Sequence, residues 1–310
     1  MWNFKELFRN KEGGKMKFEI LANEWLEYKK NEIKESTYYN YMINIENHLI
    51  PYFKEIYVED IINYNNLVQE LTNKLSSKTI RDIIVILKSI LKYYEEEYNC
   101  KLKIKKVAIP KIEKKKVEVL TKKEQGRLEN YCMNNLNLKT IGVLVCLNTG
   151  LRIGEICSLK WENIDFEEKV IRVKKAVQRI YNKREKQTKL VIGKPKTDDS
   201  VRTIQMNKKL VELLYPIRNQ YKKSCFLLSG KEKCIEPRRY QDIFKNILKK
   251  SKVKKYKFHI LRHTFATNCI DVGMDIKSLS ELLGHANISV TLKIYVHSSN
   301  KMKKKYLEKL

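Results

Sequence analysis

From Phe18 to about Asn99, apolar residues return at helical spacing. Ile20, Leu21, Trp25, Leu26 and Tyr28 define a first helix. Ser36 and Thr37 are expected to cap a second, which runs through Tyr41, Ile45 and Leu49 and stops near Pro51. Val58-Glu59-Asp60-Ile61 starts a short third helix. Ser76-Ser77-Lys78-Thr79 caps a fourth, with apolar positions at Ile83, Ile84, Leu87, Ile90, Leu91 and Tyr94. Four or five amphipathic helices can bury one small core, so residues 16–100 are expected to form a helical domain. Residues 1–15 are polar and contain Gly13-Gly14, which predicts a flexible lead-in.

The pattern breaks over residues 101–118. Eight lysines and Pro110 fall between Lys101 and Lys116, predicting a solvated, extended linker basic enough to follow a phosphate backbone. Thr121-Lys122-Lys123-Glu124 then fits a capping box and opens a second domain over residues 119–297. Leu136 to Leu147 reads as an apolar helix ended by Thr149-Gly150. Lys169 to Ile180 and Lys189 to Ile192 alternate as strands, a turn occupies residues 193–200, and Arg202-Thr203-Ile204 makes a third strand. These strands are expected to form one small antiparallel sheet. Helices resume at Leu210, Arg239, His259, Ile276 and Ser289, and a basic tail covers residues 298–310. The fold class is therefore α+β: a helical domain followed by a mostly helical one with a small antiparallel sheet.

Charge changes the picture from fold to partner. The 310 residues carry 64 Lys and Arg against 36 Asp and Glu, a formal net charge of +28. An excess of that size suits a polyanion, nucleic acid being the commonest. The seven cysteines occur singly, without C-x-x-C or metal-ligand spacing, so a reduced interior with neither zinc site nor disulfide scaffold is expected. No run of about 18 apolar residues suggests a membrane span. With no signal-like segment at the N-terminus either, the cytoplasm is the expected location.

Candidate chemistry gathers towards the end of the chain. Four of the five histidines lie between His259 and His297, and arginine is scarce, with 12 Arg against 52 Lys. His259 and Arg262 are i and i+3 neighbours on a predicted helix, placing a titratable ring beside a planar fork that matches phosphate oxygens. Earlier, Gly150 can take the left-handed conformation that ends a helix. Arg152 then sits in the first turn of the next, with Glu155 three residues on to hold it. Lys196, at the tip of a predicted turn, is by itself one more surface lysine. His263 faces away from His259's neighbourhood and reads as structural. His285 follows the chain-turning Gly284, and Tyr295 comes ten residues later. Alone, a tyrosine among 18 would ordinarily pack or lie on the surface; its company sets it apart.

Taken together, Thr149-Gly150-Leu151-Arg152-x-x-Glu155, Pro195-Lys196-Thr197, His259-x-Leu261-Arg262-His263-Thr264-Phe265-Ala266-Thr267 and Leu283-Gly284-His285 followed by Tyr295 resemble the motif boxes of the tyrosine recombinase, or phage integrase, family. The likeness spans about residues 120–297, and the helical segment ahead resembles that family's SAM-like core-binding domain. It implies Tyr295 as the nucleophile on a DNA phosphodiester, leaving a 3′-phosphotyrosine and a free 5′-hydroxyl. It implies Arg152 and Arg262 as clamps on the non-bridging oxygens and Lys196 as proton donor to the leaving oxygen. His259 would be an acid/base partner, His285 a phosphate donor, and Glu155 a support for the first arginine. Neither metal nor cofactor is implied. The implied partners are double-stranded DNA and a homotetramer on two DNA sites, with an excisionase or bending protein as accessory candidates. With only about 15 residues ahead of the first helix, a separate arm-type DNA-binding domain is not expected. Residues 269–280 resemble mobile-element integrases more than the Xer chromosome-resolution type. The rivals are an idle DNA-binding regulator of the same fold, an Xer-like resolvase and a type IB topoisomerase.

Overall fold

In a computed structural model, residues 15–112, 117–182, 187–193, 200–292 and 308 are described. The expected lead-in up to Gly14, Lys196, Tyr295 and almost all of the tail lie outside these residues. The chain divides into two compact units. One comprises residues 1–114 with 180–187, and the other residues 115–179 with 188–310.

The first unit is helical. Helix α1 (Phe18–Lys29) buries Phe18, Leu21, Ala22, Trp25 and Leu26 on one face. Helix α2 (Glu35–Asn44) begins one residue before the expected caps. Lys34 is its N-cap, and Ser36 and Thr37 lie inside the first turn. The chain does not stop at Pro51. A π-helical segment (Ile45–Leu49) widens the backbone just before the proline, with Ile50 N–H donating to the carbonyl of Ile45, and α3 (Ile50–Phe53) starts with Pro51 in its first turn. Proline has no N–H to donate, and the widened turn falls just where the regular helical ladder would have called for one. Val58–Asp60 is a single 3₁₀ turn. After α4 (Asn65–Thr72), the long α5 (Ser77–Glu97) is capped by the Ser76 hydroxyl, which accepts from Thr79 N–H as the sequence predicts.

The basic segment after α5 departs from the solvated linker expected of it. Lys105 N–H donates to the Ile62 carbonyl at 2.8 Å. Val107 is buried in the first unit's core, and Leu102, Ile104 and Ile109 pack partly against it. The lysines between them stay exposed, so the strand-like alternation rather than the charge decides which side chains turn inward.

In the second unit, α6 (Lys122–Asn134) opens with the predicted capping box. Thr121 and Glu124 each satisfy the other's backbone N–H. The almost wholly buried α7 (Leu138–Thr149) ends at Gly150, whose φ of 65° is left-handed. A β-carbon there would lie 2.6 Å from the Phe265 ring, so glycine is required on both counts. Short α8 (Ile153–Ser158) follows.

The strands form two sheets rather than one. β1 (Ile164–Asp165), β2 (Val170–Val173) and β5 (Arg202–Gln205) make a three-stranded antiparallel sheet, with Ile171 opposite Ile204 and Val173 opposite Arg202. β3 (Ala176–Asn182) and β4 (Gln187–Gly193) pair separately. The predicted single strand from Lys169 to Ile180 breaks at Lys174-Lys175. The Ser158 hydroxyl lies 2.6 Å from the Lys175 carbonyl, at the break. Helices α9 (Lys208–Leu214), α10 (Pro237–Lys250), α11 (Ile260–Asp271) and α12 (Ile276–Leu283) follow, and residues 288–292 are helical again around the expected Ser289. Ile141, Val145, Ile156, Ile171, Ile204, Tyr240, Phe244 and Leu261 share its main core, and α11 and α12 add a smaller one from Ala266, Ile270, Leu279 and Leu283.

Candidate active site

The expected residues Arg152, Glu155, Arg262 and His285 come together at the C-terminal end of α12, and His259 lies within electrostatic reach of them. Three successive backbone carbonyls there each accept from a different arginine. Arg202 Nε donates to Leu282 O at 2.7 Å, Arg262 Nη2 to Leu283 O at 2.7 Å, and Arg152 Nη2 to Gly284 O at 2.8 Å. The last carbonyls of a helix lack helical donors and carry its negative dipole end, so three guanidiniums are favourably placed. Gly284 then turns the chain in the left-handed conformation, φ 64°, and presents His285.

Glu155 is the anionic centre of the cluster. Its carboxylate is buried and accepts four N–H groups. Arg152 supplies its backbone N–H at 2.9 Å and Nη1 at 2.7 Å, while Arg202 supplies Nη1 at 3.2 Å and Nη2 at 3.0 Å. Burial alone would raise its pKa, but the charges of Arg202 and Arg152 outweigh that and hold the carboxyl below its ordinary value. The charge count in this nest is three guanidiniums to one carboxylate, which leaves positive potential for an anion.

The three arginines are not equivalent. Arg152 keeps about a third of its side chain exposed, at 34%. Arg262 is fully buried, and its second contact is Nη1 to the Gly150 carbonyl at 2.9 Å. Burial and the Arg152 charge lower its pKa to about 9, still far enough above neutrality to keep it a cation. Arg202 is 6% exposed and spends its donors on Glu155, Leu282 and Ser200.

His259 stands at the N-cap of α11 and not within the helix, which starts at Ile260. Its ring is exposed, and the His263 ring meets it edge-to-face with centroids 4.5 Å apart. Partial desolvation, then His263, Arg262 and Arg152, push the His259 pKa down, so the ring is neutral at pH 7. His285 is half-buried, with Nδ1 2.8 Å from the Thr291 hydroxyl. Desolvation and the charges of Arg262 and Arg152 lower its pKa to about 3. His263, read from the sequence as pointing elsewhere, touches His259 directly, and its buried Nδ1 has no partner among the described residues.

Sequence reasoning missed Arg202. The signal was present: Arg202, Ile204 and Met206 alternate inward along β5 and its extension while Val201, Thr203 and Gln205 face out. An arginine on the apolar side of a strand, in a chain that otherwise prefers lysine, needs a buried acceptor. A groove of about 670 Å³ lined by residues such as Met133, Leu144 and Phe265 lies elsewhere in the unit and includes none of the residues of this cluster.

Comparison with known proteins identifies the family. The pattern of the Phage integrase family matches residues 118–302, and that of its N-terminal SAM-like domain matches residues 17–76. A tyrosine recombinase XerC-like protein of Caldanaerobacter subterraneus is 32% identical over 305 residues, covering 91% of this chain and 75% of its own. Transposase A from transposon Tn554 of Staphylococcus aureus is 31% identical, covering 64% of this chain and 55% of its own. Among solved structures, the Tn1549 transposon integrase in complex with a circular intermediate DNA superposes with a TM-score of 0.75. It is 21% identical and covers 93% of this chain and 98% of the other. The chain belongs to the phage integrase family: it is a tyrosine recombinase, an enzyme that transfers DNA strands.

Proposed function

We propose that the chain carries out site-specific recombination on duplex DNA through a 3′-phosphotyrosine, with Tyr295 as nucleophile. The observation that supports this most is the convergence of Arg152, Arg262 and Arg202 on three successive carbonyls beside His285. Arg152 and Arg262 each use one N–H of the fork on the α12 terminus, and their remaining donors suit the two non-bridging oxygens of a phosphodiester. The phenol oxygen attacks phosphorus as its proton passes to a neighbouring base, for which the neutral ring of His259 is suited. The P–O5′ bond breaks, and Lys196 gives a proton to the departing 5′-oxygen. The arginines stabilise the extra charge that builds on the equatorial oxygens. His285, with Nδ1 taken by Thr291, keeps Nε2 for the same phosphate. Religation reverses these steps with a 5′-hydroxyl from a partner strand, so the phosphodiester's energy is conserved and no external energy source is consumed.

Two DNA sites held by four copies would allow that exchange, and likeness to the transposon proteins favours excision and integration of a mobile element. The test is a nicked suicide duplex drawn from DNA flanking the gene. Wild type should give a slow-migrating protein–DNA adduct on a denaturing gel, and Tyr295→Phe should give none. An adduct from the variant would exclude Tyr295, and binding without any adduct would turn the reading towards an idle regulator.

A further inference from the structure

Arg202 has no assigned part in the chemistry, yet it is the side chain that closes the cluster. Its fork spans both oxygens of Glu155, at 3.2 and 3.0 Å, while Nε reaches the Leu282 carbonyl at 2.7 Å and Nη1 also reaches the Ser200 carbonyl at 3.1 Å. It therefore joins β5, helix α8 and the end of α12, three segments far apart in sequence. Glu155 in turn holds Arg152 through its side chain and its backbone N–H, and Arg152 caps the carbonyl next to His285.

On the proposed reading of the site, we infer that Arg202 is a positioning residue for strand cleavage: it fixes Glu155 and the Leu282–His285 turn so that Arg152 and His285 meet the scissile phosphate together. The chemistry of a guanidinium makes this role specific. A lysine could neutralise Glu155 but cannot serve both carboxylate oxygens and a carbonyl from one planar group. An apolar residue would leave the buried carboxylate with Arg152 alone and the Leu282 carbonyl without that donor. Arg202 commits four of its five N–H groups to Glu155, Leu282 and Ser200, so its influence passes through the residues it holds.

The pairing also predicts a distinctive pH signature. Glu155 faces Arg152, Arg202, Arg262 and His259, and Arg202 is the strongest of the charges keeping it ionised. Without Arg202, the carboxyl takes a proton at higher pH, and the hold on Arg152 weakens as the solution becomes more acidic.

The experiment is single-turnover cleavage of the suicide duplex by full-length wild type, Arg202→Met, Arg202→Lys, Glu155→Gln and the Arg202→Met/Glu155→Gln double variant. Duplex affinity and the thermal midpoint are measured beside it. Displacements of about 1 Å around a reacting centre cost on the order of 100-fold, so Arg202→Met should slow cleavage by about that factor with affinity within about 3-fold. Arg202→Lys, which keeps the charge and is the safer variant for folding, should lose about 10-fold. The double variant should be no slower than the worse single one, within about 3-fold, because both changes break the same link. The deficit of Arg202→Met, but not of Arg202→Lys, should deepen as the pH falls. Losses that multiply in the double variant would overturn the inference, as would wild-type cleavage by both Arg202 variants or a deficit that tracks lost affinity or folding. If wild type itself gives no adduct, the failure lies with the proposed reaction and not with Arg202.

Discussion

The Thr264 hydroxyl accepts a hydrogen bond from the Leu120 backbone N–H at 3.0 Å, in the interior, across 144 residues of chain. It fastens the helix that carries Arg262 to the first residues of the second unit. Neighbouring contacts reinforce the same seam: Tyr256 donates to Glu124, Lys122 to Asn268, and Asn268 to Gln125.

Thr264→Val removes the acceptor and keeps the shape. The Leu120 N–H is then buried without a partner, and the expected loss is about 1–3 kcal/mol of stability. Thr264→Ser retains the hydroxyl and should lose less. Urea unfolding of the three proteins checks this, and equal midpoints for Val and wild type would show that the bond contributes nothing.

Gly150→Ala meets two obstacles. The left-handed backbone disfavours any β-carbon by about 1–2 kcal/mol. The added atom would also lie 2.6 Å from the Phe265 ring and 2.8 Å from Leu283, an overpacking that adds about 1–3 kcal/mol. Since the Gly150 carbonyl is a partner of Arg262, the shift should reach the site as well. A lowered unfolding midpoint together with slower adduct formation is expected; an unchanged midpoint would contradict the strain.

Acid should weaken the folded unit before its carboxylates titrate. His285 has an ordinary pKa of 6.5 and a folded value of about 3, and His259 and His263 are lowered as well. Between those limits the unfolded chain binds protons that the folded chain refuses. Stability is therefore complete above about 6.5 and lost as pH falls towards the folded values. Glu155, depressed from 4.5, adds its own loss only below that value. Denaturant midpoints at pH 7 and pH 5 should differ more for wild type than for His285→Gln. Parallel curves would show that the cationic nest does not govern the ring.

Much of this architecture is legible in the residues. The capping box at Thr121 and Glu124, the cap at Ser76 and the left-handed turn at Gly150 are local devices, decided within about one helical turn. What the pattern hides depends on partners far away. The break at Lys174-Lys175 falls where the distant Ser158 hydroxyl meets the strand, and the inward course of residues 102–109 is set by a core whose own helices lie earlier in the chain. The π segment before Pro51 is a third case: the sequence shows a helix breaker, and the backbone absorbs it by widening. At the site, Arg152, Glu155, Arg262 and His285 are legible because motif spacing carries them. Arg202 is visible only as an arginine on the buried side of a strand, and its meaning requires Glu155 and Leu282 to be in place.

The order in which the ribosome delivers these parts has a consequence of its own. Arg152 binds a carbonyl 132 residues downstream, Arg262 one 112 residues upstream, and Arg202 one 80 residues downstream. Synthesis proceeds at about 5–20 residues per second, so the helical unit emerges seconds before the α12 terminus that gathers the guanidiniums. During that interval Arg152 and Arg202 wait without the carbonyls that will hold them. A product truncated before residue 282 lacks all three acceptors, so premature termination leaves the arginines permanently ungathered.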